Sequence, residues 1–295
     1  MAKRTFHIVD VFAERKYAGN QLAVFRDTKG LSDTEMQQIA KEMHFSETTF
    51  ILSEEERDRG YDVRIFTPEY EIPFAGHPTL GTAYVIQQEI IKEHVQQVVL
   101  NLKVGQIPVS FKYSGQDVDI LWMKQVAPMF GPIFGLETIS EILCLDRKEL
   151  DDRSPIQEVS TGTPFIIVPL KTLNAVKQAR IDKDKYFGLI KDTEAKAVLV
   201  FCPETYAKEN QLNVRVFADY YGVPEDPATG SANGCLAGYL VKYRYFDKDR
   251  IDIRVEQGYE IGRPSLLFLR AEDKEDEIEV FVGGKVIMVA KGEFI

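Results

Sequence analysis

Residues Gly222–Gly234 read GVPEDPATGSANG. A β-type run, Val214-Arg215-Val216-Phe217, precedes them, and a run of small and apolar residues, Cys235–Val241, follows. A glycine-framed turn that opens a helix leaves backbone N–H groups unpaired at the helix start, where an anion is favoured. A second such turn lies far upstream: Phe74–Gly81 (FAGHPTLG) sits between Arg64-Ile65-Phe66-Thr67 and the helical run Thr82-Ala83-Tyr84-Val85-Ile86. Each half of the chain therefore holds one turn. The two turns also carry His77 and Asp226, side chains suited to moving protons. That combination points to an enzyme.

Working outward, both helical runs are apolar nearly all round, which marks buried helices rather than surface ones. The β-type runs are many, short and alternating, without the regular βαβ rhythm of a doubly wound sheet. In the first half they are Thr5–Phe12, Leu22–Phe25, Thr48–Leu52, Tyr61–Thr67, Gln97–Lys103, Ile107–Tyr113 and Val118–Met123. In the second half they are Phe165–Leu170, Ala197–Cys202, Asn213–Phe217 and Ile251–Val255, with terminal runs at Ile278–Val282 and Val286–Ala290. Ser32 and Glu35 have the spacing of a capping box and Leu31 and Met36 that of a hydrophobic staple. They predict an amphipathic helix over Asp33–Met43; further helical patterns cover Glu137–Leu145 and Lys171–Arg180. Ala127–Gly135 (APMFGPIFG), rich in Pro and Gly, reads as the crossover between domains. The two halves follow one plan, Gly19–Val24 answering Gly162–Ile167 and Gly76-His77 answering Gly230-Ser231, although identity between the copies is slight. The expectation is an α/β (α+β) fold of two similar domains. Each is a curled mixed sheet around a central helix, with the active site in the cleft between them.

Composition sets outer bounds. The 295 residues, 44% hydrophobic and 28% charged, suit a globular protein of two ordinary domains. A net charge of −10 argues against nucleic acid as a partner but not against a small anion, which helix ends attract locally. No apolar run reaches membrane-spanning length, and the basic start MAKRTFHIVDVFAERK is broken at His7 and Asp10, so a first strand is read there. Cys144, Cys202 and Cys235 are an odd, scattered set; a reducing cytoplasm is the expected location. The four histidines lack zinc-ligand spacing, and ATGSANG is neither a P-loop nor a dinucleotide fingerprint. No metal or cofactor is expected.

Three side chains stand out, each with a bland alternative. Pro78 fits a first helical position, which makes His77 the N-cap or its neighbour. It is then either a cleft proton donor or acceptor, its pKa lowered by the positive helix end, or a capping or core histidine. Glu47, in HFSETTF, is either solvated surface or a carboxyl raised in pKa by the apolar and β-forming residues beside it. Asp226, before Pro227, either shapes the turn or acts in chemistry. Glu225 beside it reads as solvent-facing. Thr229 and Ser231 either cap the helix or meet a ligand oxygen. Lys177–Lys185 and the acidic run Glu272–Glu279 read as a solvated face and a surface hairpin loop.

Taken together, these residues resemble the PhzF family of phenazine-biosynthesis-type isomerases over the whole chain. The resemblance rests on Asp10-Val11-Phe12, Gly19-Asn20, Ala23-Val24-Phe25, Ser46–Phe50 (SETTF), Phe74–Gly81 and Asp226–Ala232 (DPATGSA) in that order and spacing. It implies a diaminopimelate-epimerase-like fold and a homodimer. Racemases of that fold use two cysteines at the helix starts, but Ala75-Gly76-His77 and Pro227-Ala228-Thr229 contain none. The resemblance instead implies Glu47, His77 and Asp226 as catalytic residues, with Gly76, Gly230 and Ser231 binding substrate. The domains would be 1–118 with 278–295, and 119–277. The expected activity is a cofactor-independent proton shift on a small carboxylated, cyclic or amino-acid-like substrate. A non-catalytic carboxylate-binding protein and an amino-acid epimerase or racemase remain the alternatives.

Overall fold

The computed structural model describes residues 4–26 and 28–295; Met1–Lys3, the basic start of the chain, lie outside them. Two compact units partition the chain, Met1–Lys124 with Gly283–Ile295, and Gln125–Val282.

The first unit contains β1 (Arg4–Val11), β2 (Asn20–Phe25), α1 (Asp33–Met43), β3 (Thr48–Ile51), β4 (Tyr61–Phe66), β5 (Glu71–Ile72), α2 (Gly76–Val85), β6 (Gln97–Leu102), β7 (Gly105–Ser114) and β8 (Asp117–Lys124). A closing strand, Val286–Phe294, pairs antiparallel with β1. From there the order runs β1–β2–β3–β4–β6–β7–β8, with β2–β3 and β4–β6 parallel and the other neighbours antiparallel. Laid flat, such a sheet is roughly 30 Å wide, whereas a helix is only about 10 Å across. Yet α2 packs against β1, β2 and β3 and also against β6, β7, β8 and the closing strand. The sheet must therefore curl around it. Outside the curl, α1 lays Met36 and Ala40 on Phe25, Phe50 and Phe66, with Leu31 packed beside them. Its Ser32–Glu35 capping box is present in both directions.

The second unit contains β9 (Met129–Phe134), α3 (Leu136–Ile142), β10 (Ile156–Ser160), β11 (Pro164–Pro169), α4 (Leu173–Gln178), α5 (Lys183–Ile190), β12 (Val198–Cys202), β13 (Leu212–Ala218), β14 (Val223–Asp226), α6 (Gly230–Lys242), β15 (Arg250–Gln257) and β16 (Ser265–Lys274). Its order, β9–β10–β11–β12–β13–β15–β16, again has the second and fourth of these strand pairs after β10 parallel, β11–β12 and β13–β15. The central α6 touches β10, β11, β15 and β16, while α3, α4 and α5 cover the other face around Val168, Tyr186 and Val200. The fold is thus the expected one, two similar units each with a sheet curled about a central helix.

Several local readings need correction. Ala127–Gly135 is mostly strand, because Met129–Phe134 pairs with β10 despite its Pro and Gly. Lys177–Lys185 is largely solvated, as read, and also holds the start of α5, where Asp182 caps the Lys185 amide. The acidic run is largely strand, turning only at Glu275-Asp276. Both central helices begin earlier than their apolar runs: α2 takes in Gly76–Gly81 and α6 takes in Gly230–Gly234. Only unpaired N–H groups mark a first turn, so Pro78 fits at the third helical position as readily as at the first.

Candidate active site

Glu47 is placed by what ends α1 and begins β3. His44 closes α1 in the left-handed conformation, φ 56°, and Thr48 then enters the sheet between Ala23 and Phe66. A hydrogen bond of 2.8 Å between the buried hydroxyls of Thr49 and Thr82 ties β3 to α2. Gly81 lets α2 approach β1 and β2: a Cβ there would come within 2.6 Å of Leu22 Cδ2 and 2.9 Å of Val11 Cγ2. These constraints set Glu47 Oε2 3.3 Å from His77 Nε2.

His77 is the second residue of α2, not its cap, and is almost fully buried. Burial pulls its pKa down to about 3, and a hydrogen bond with the Gln21 backbone opposes that only in part. Desolvation is the largest cause. A neutral ring bonded to Gln21 through one nitrogen turns the lone pair of the other, Nε2, toward Glu47; among the described residues Nε2 has no hydrogen-bond partner. Two facing acceptors 3.3 Å apart leave room for one shared proton. Gly76, the first residue of α2, is buried beside them, and no side chain caps this helix start.

In the second unit Asp226 ends β14, half-buried. Thr229 occupies the N-cap position of α6 but does not cap it; its hydroxyl donates to Asp226 Oδ2 at 2.5 Å. Gly230 and Ser231 are the first two residues of that uncapped helix. Glu225 is not solvent-facing: it forms a two-pronged pair with Arg215, at 2.9 and 2.7 Å, with both side chains largely buried. Burial alone would penalise that carboxylate, and the guanidinium fork offsets the cost. The turn itself is fastened by residues the sequence did not single out. Ser265 Oγ donates to Pro227 O at 2.9 Å, and buried Gln257 and Asn233 bond Asp226 and Thr229. Gln257 sits at a strand end with no motif around it, so only the fold exposes its part.

The structure thus groups Glu47, His77 and Gly76 in one unit and Asp226, Gly230 and Ser231 in the other. Thiol chemistry has no support: Cys235 is buried inside α6 and burial pushes its thiol up to about 12, as it does for Cys202. Among the described residues no group of three or more His, Cys, Asp or Glu side chains could hold a metal ion, and no helix is long and apolar enough to cross a membrane.

Residues 9–292 match the family of phenazine biosynthesis-like proteins, PhzC-PhzF. The chain belongs to this family. A trans-2,3-dihydro-3-hydroxyanthranilate isomerase of Pseudomonas aeruginosa is 33% identical over 97% of each chain. The crystal structure of a Bacillus anthracis phenazine biosynthesis protein of the PhzF family is 28% identical, with a TM-score of 0.91 and full coverage of both chains. A probable proline racemase from Agrobacterium radiobacter, at 8% identity and a TM-score of 0.64 over 99% of this chain and 93% of its own, shares the fold alone. The protein is a PhzF-type isomerase acting on a small molecule.

Proposed function

We propose that this isomerase moves a proton between two carbons of a small, cyclic, carboxylated amino-acid-like substrate without a cofactor. One C–H bond breaks, a double bond migrates and a C–H bond forms elsewhere, so no oxidant or reductant is consumed. Glu47 removes the proton and returns it, serving as base and then as acid. The observation that carries this reading is the 3.3 Å approach of Glu47 Oε2 to Nε2 of a buried, neutral His77. A neutral imidazole there can accept or pass a hydrogen bond without competing for the proton at neutral pH. Amides at Gly76-His77 in the first unit, and likewise those at Gly230-Ser231 in the second, are suited to a substrate carboxylate, since an uncapped helix start favours negative charge. Asp226 and His77 orient the substrate's heteroatoms and balance charge that develops on them.

The relative's name makes trans-2,3-dihydro-3-hydroxyanthranilate the first compound to test, beside a panel of cyclic and acyclic amino carboxylates in deuterated water. Turnover with deuterium entering at one carbon is the expected result. Glu47→Gln keeps the shape and removes the proton carrier, so turnover should fall on the order of a hundredfold or more while binding persists. Near-wild-type turnover in that variant would route the proton through another residue. Tight binding of carboxylates with no exchange at any carbon would favour a binding protein instead.

A further inference from the structure

Gln257 is fully buried, and each half of its amide meets backbone groups whose roles cannot be exchanged. Its Oε1 accepts from the Thr229 amide at 3.1 Å and from Asn233 Nδ2 at 2.9 Å. Its Nε2 donates to the Asp226 carbonyl at 2.8 Å and to Thr229 Oγ1 at 3.0 Å. A backbone N–H can only donate and a carbonyl can only accept, so the amide's orientation is fixed from both ends. Its backbone is fixed too, since Gln257 pairs with Val214 of β13 and with Ser265 of β16.

The consequence runs to Asp226. Because Nε2 spends a hydrogen on Thr229 Oγ1, that oxygen's own hydrogen points away, to Asp226 Oδ2 at 2.5 Å. We infer that Gln257 and Thr229 are positioning residues, a directed hydrogen-bond chain that holds Asp226 as an oriented carboxylate at the start of α6. A carboxylate accepting a short hydrogen bond is held in its charged form. The chain therefore fixes the direction from which Asp226 Oδ2 is met, and it rests on the isomerase reading only for its catalytic meaning.

Other charged groups lie on the elements packed around Asp226. Arg215 and Glu225 bond each other, and Glu256 is tied to the Tyr206 and Ala207 amides, Asn210 and Asn213. Arg263 lies in the loop before β16. All of them are kept in the Thr229 variants, so the comparison between Val and Ser isolates the hydroxyl.

The test follows Asp226 directly, by isotope-edited infrared titration of protein labelled at the aspartate carboxyls, with Asp226→Asn as the subtraction. In Thr229→Val the carboxylate should be lost at a pH about one unit or more higher than in the parent. Thr229→Ser, which keeps the hydroxyl, should restore the parental titration. Gln257→Met should shift it the same way; if that variant fails to fold, the two Thr229 variants still decide. A Thr229→Val titration within about 0.3 units of the parent would overturn the inference. On a compound that the parent isomerises, Thr229→Val should lose about tenfold in kcat with KM changed less than twofold. Absence of turnover in the parent on every compound would remove the isomerase reading and leave the infrared result standing.

Discussion

His77 takes its properties from the second position of α2, where nearly every neighbour is buried. An imidazole with its pKa pulled down to about 3 is neutral throughout the range in which free histidine titrates. Turnover should therefore show no limb near pH 6.5 that disappears in a His77 variant. The same shift governs stability. The folded state resists protonation that the unfolded chain accepts, so the stability associated with a neutral His77 is complete above about pH 6.5 and is lost as the pH falls toward 3. Each pH unit in that window can cost up to about 1.4 kcal/mol. Comparing urea unfolding of the protein and His77→Gln from pH 7 to 4 should show the gap between them narrowing or reversing as acid is added. Parallel curves would mean that His77 takes up its proton equally in the folded and unfolded chain, so that burial does not lower its pKa. The sequence offered His77 as either a cleft acid/base or a core residue; the fold buries it in the helix start and turns its Nε2 to Glu47.

Elements meet through a few polar contacts that no periodicity reveals. Residues Thr48–Ile51 read as a strand and α2 as a buried helix, but nothing in either pattern pairs Thr49 with Thr82. Their hydroxyls share one hydrogen bond of 2.8 Å within apolar surroundings. Replacing either residue by Val strands the other hydroxyl, and each single change should cost about 1–3 kcal/mol. Replacing both removes the orphan along with the bond. The double variant should therefore be less destabilised than the sum of the singles, by on the order of 1 kcal/mol, in a denaturant cycle. Additive costs would show that each hydroxyl has found another partner. By contrast, α1 was legible to the residue, since Ser32, Glu35, Leu31 and Met36 are local signals that act over one turn. The starts of α2 and α6 were not. Glycine and proline there read as a turn, whereas burial against the curled sheet draws them into the helix.

At the scale of the whole molecule the two units share one pairing scheme. Parallel contacts fall at β2–β3 and β4–β6 in one and at β11–β12 and β13–β15 in the other; β5 and β14 hang on the same strand of each scheme. The order of elements carried that repeat in the sequence, even though β9 hid behind Pro132 and Gly131. Strand β10 was silent because its polar side chains are bonded inside the fold: Gln157 Nε2 donates to the Gly131 carbonyl, and Glu158 accepts from the Ala195 amide. The closing strand distinguishes the units. It supplies from the far end of the chain the partner that β9 supplies to β10 from nearby. It pairs with β1 from Arg4–Phe294 to Val11–Val286, and Phe294 packs edge-on against Phe6 and Phe25. Ending the chain after Lys285 would leave β1 an open edge and uncover those rings, exposing a template for association. The truncated protein should lose cooperative unfolding of the first unit, aggregate at concentrations the full chain tolerates, and exchange the β1 amides rapidly. A truncated chain with unchanged thermal midpoint and protected β1 amides would mean that β2 alone holds the edge.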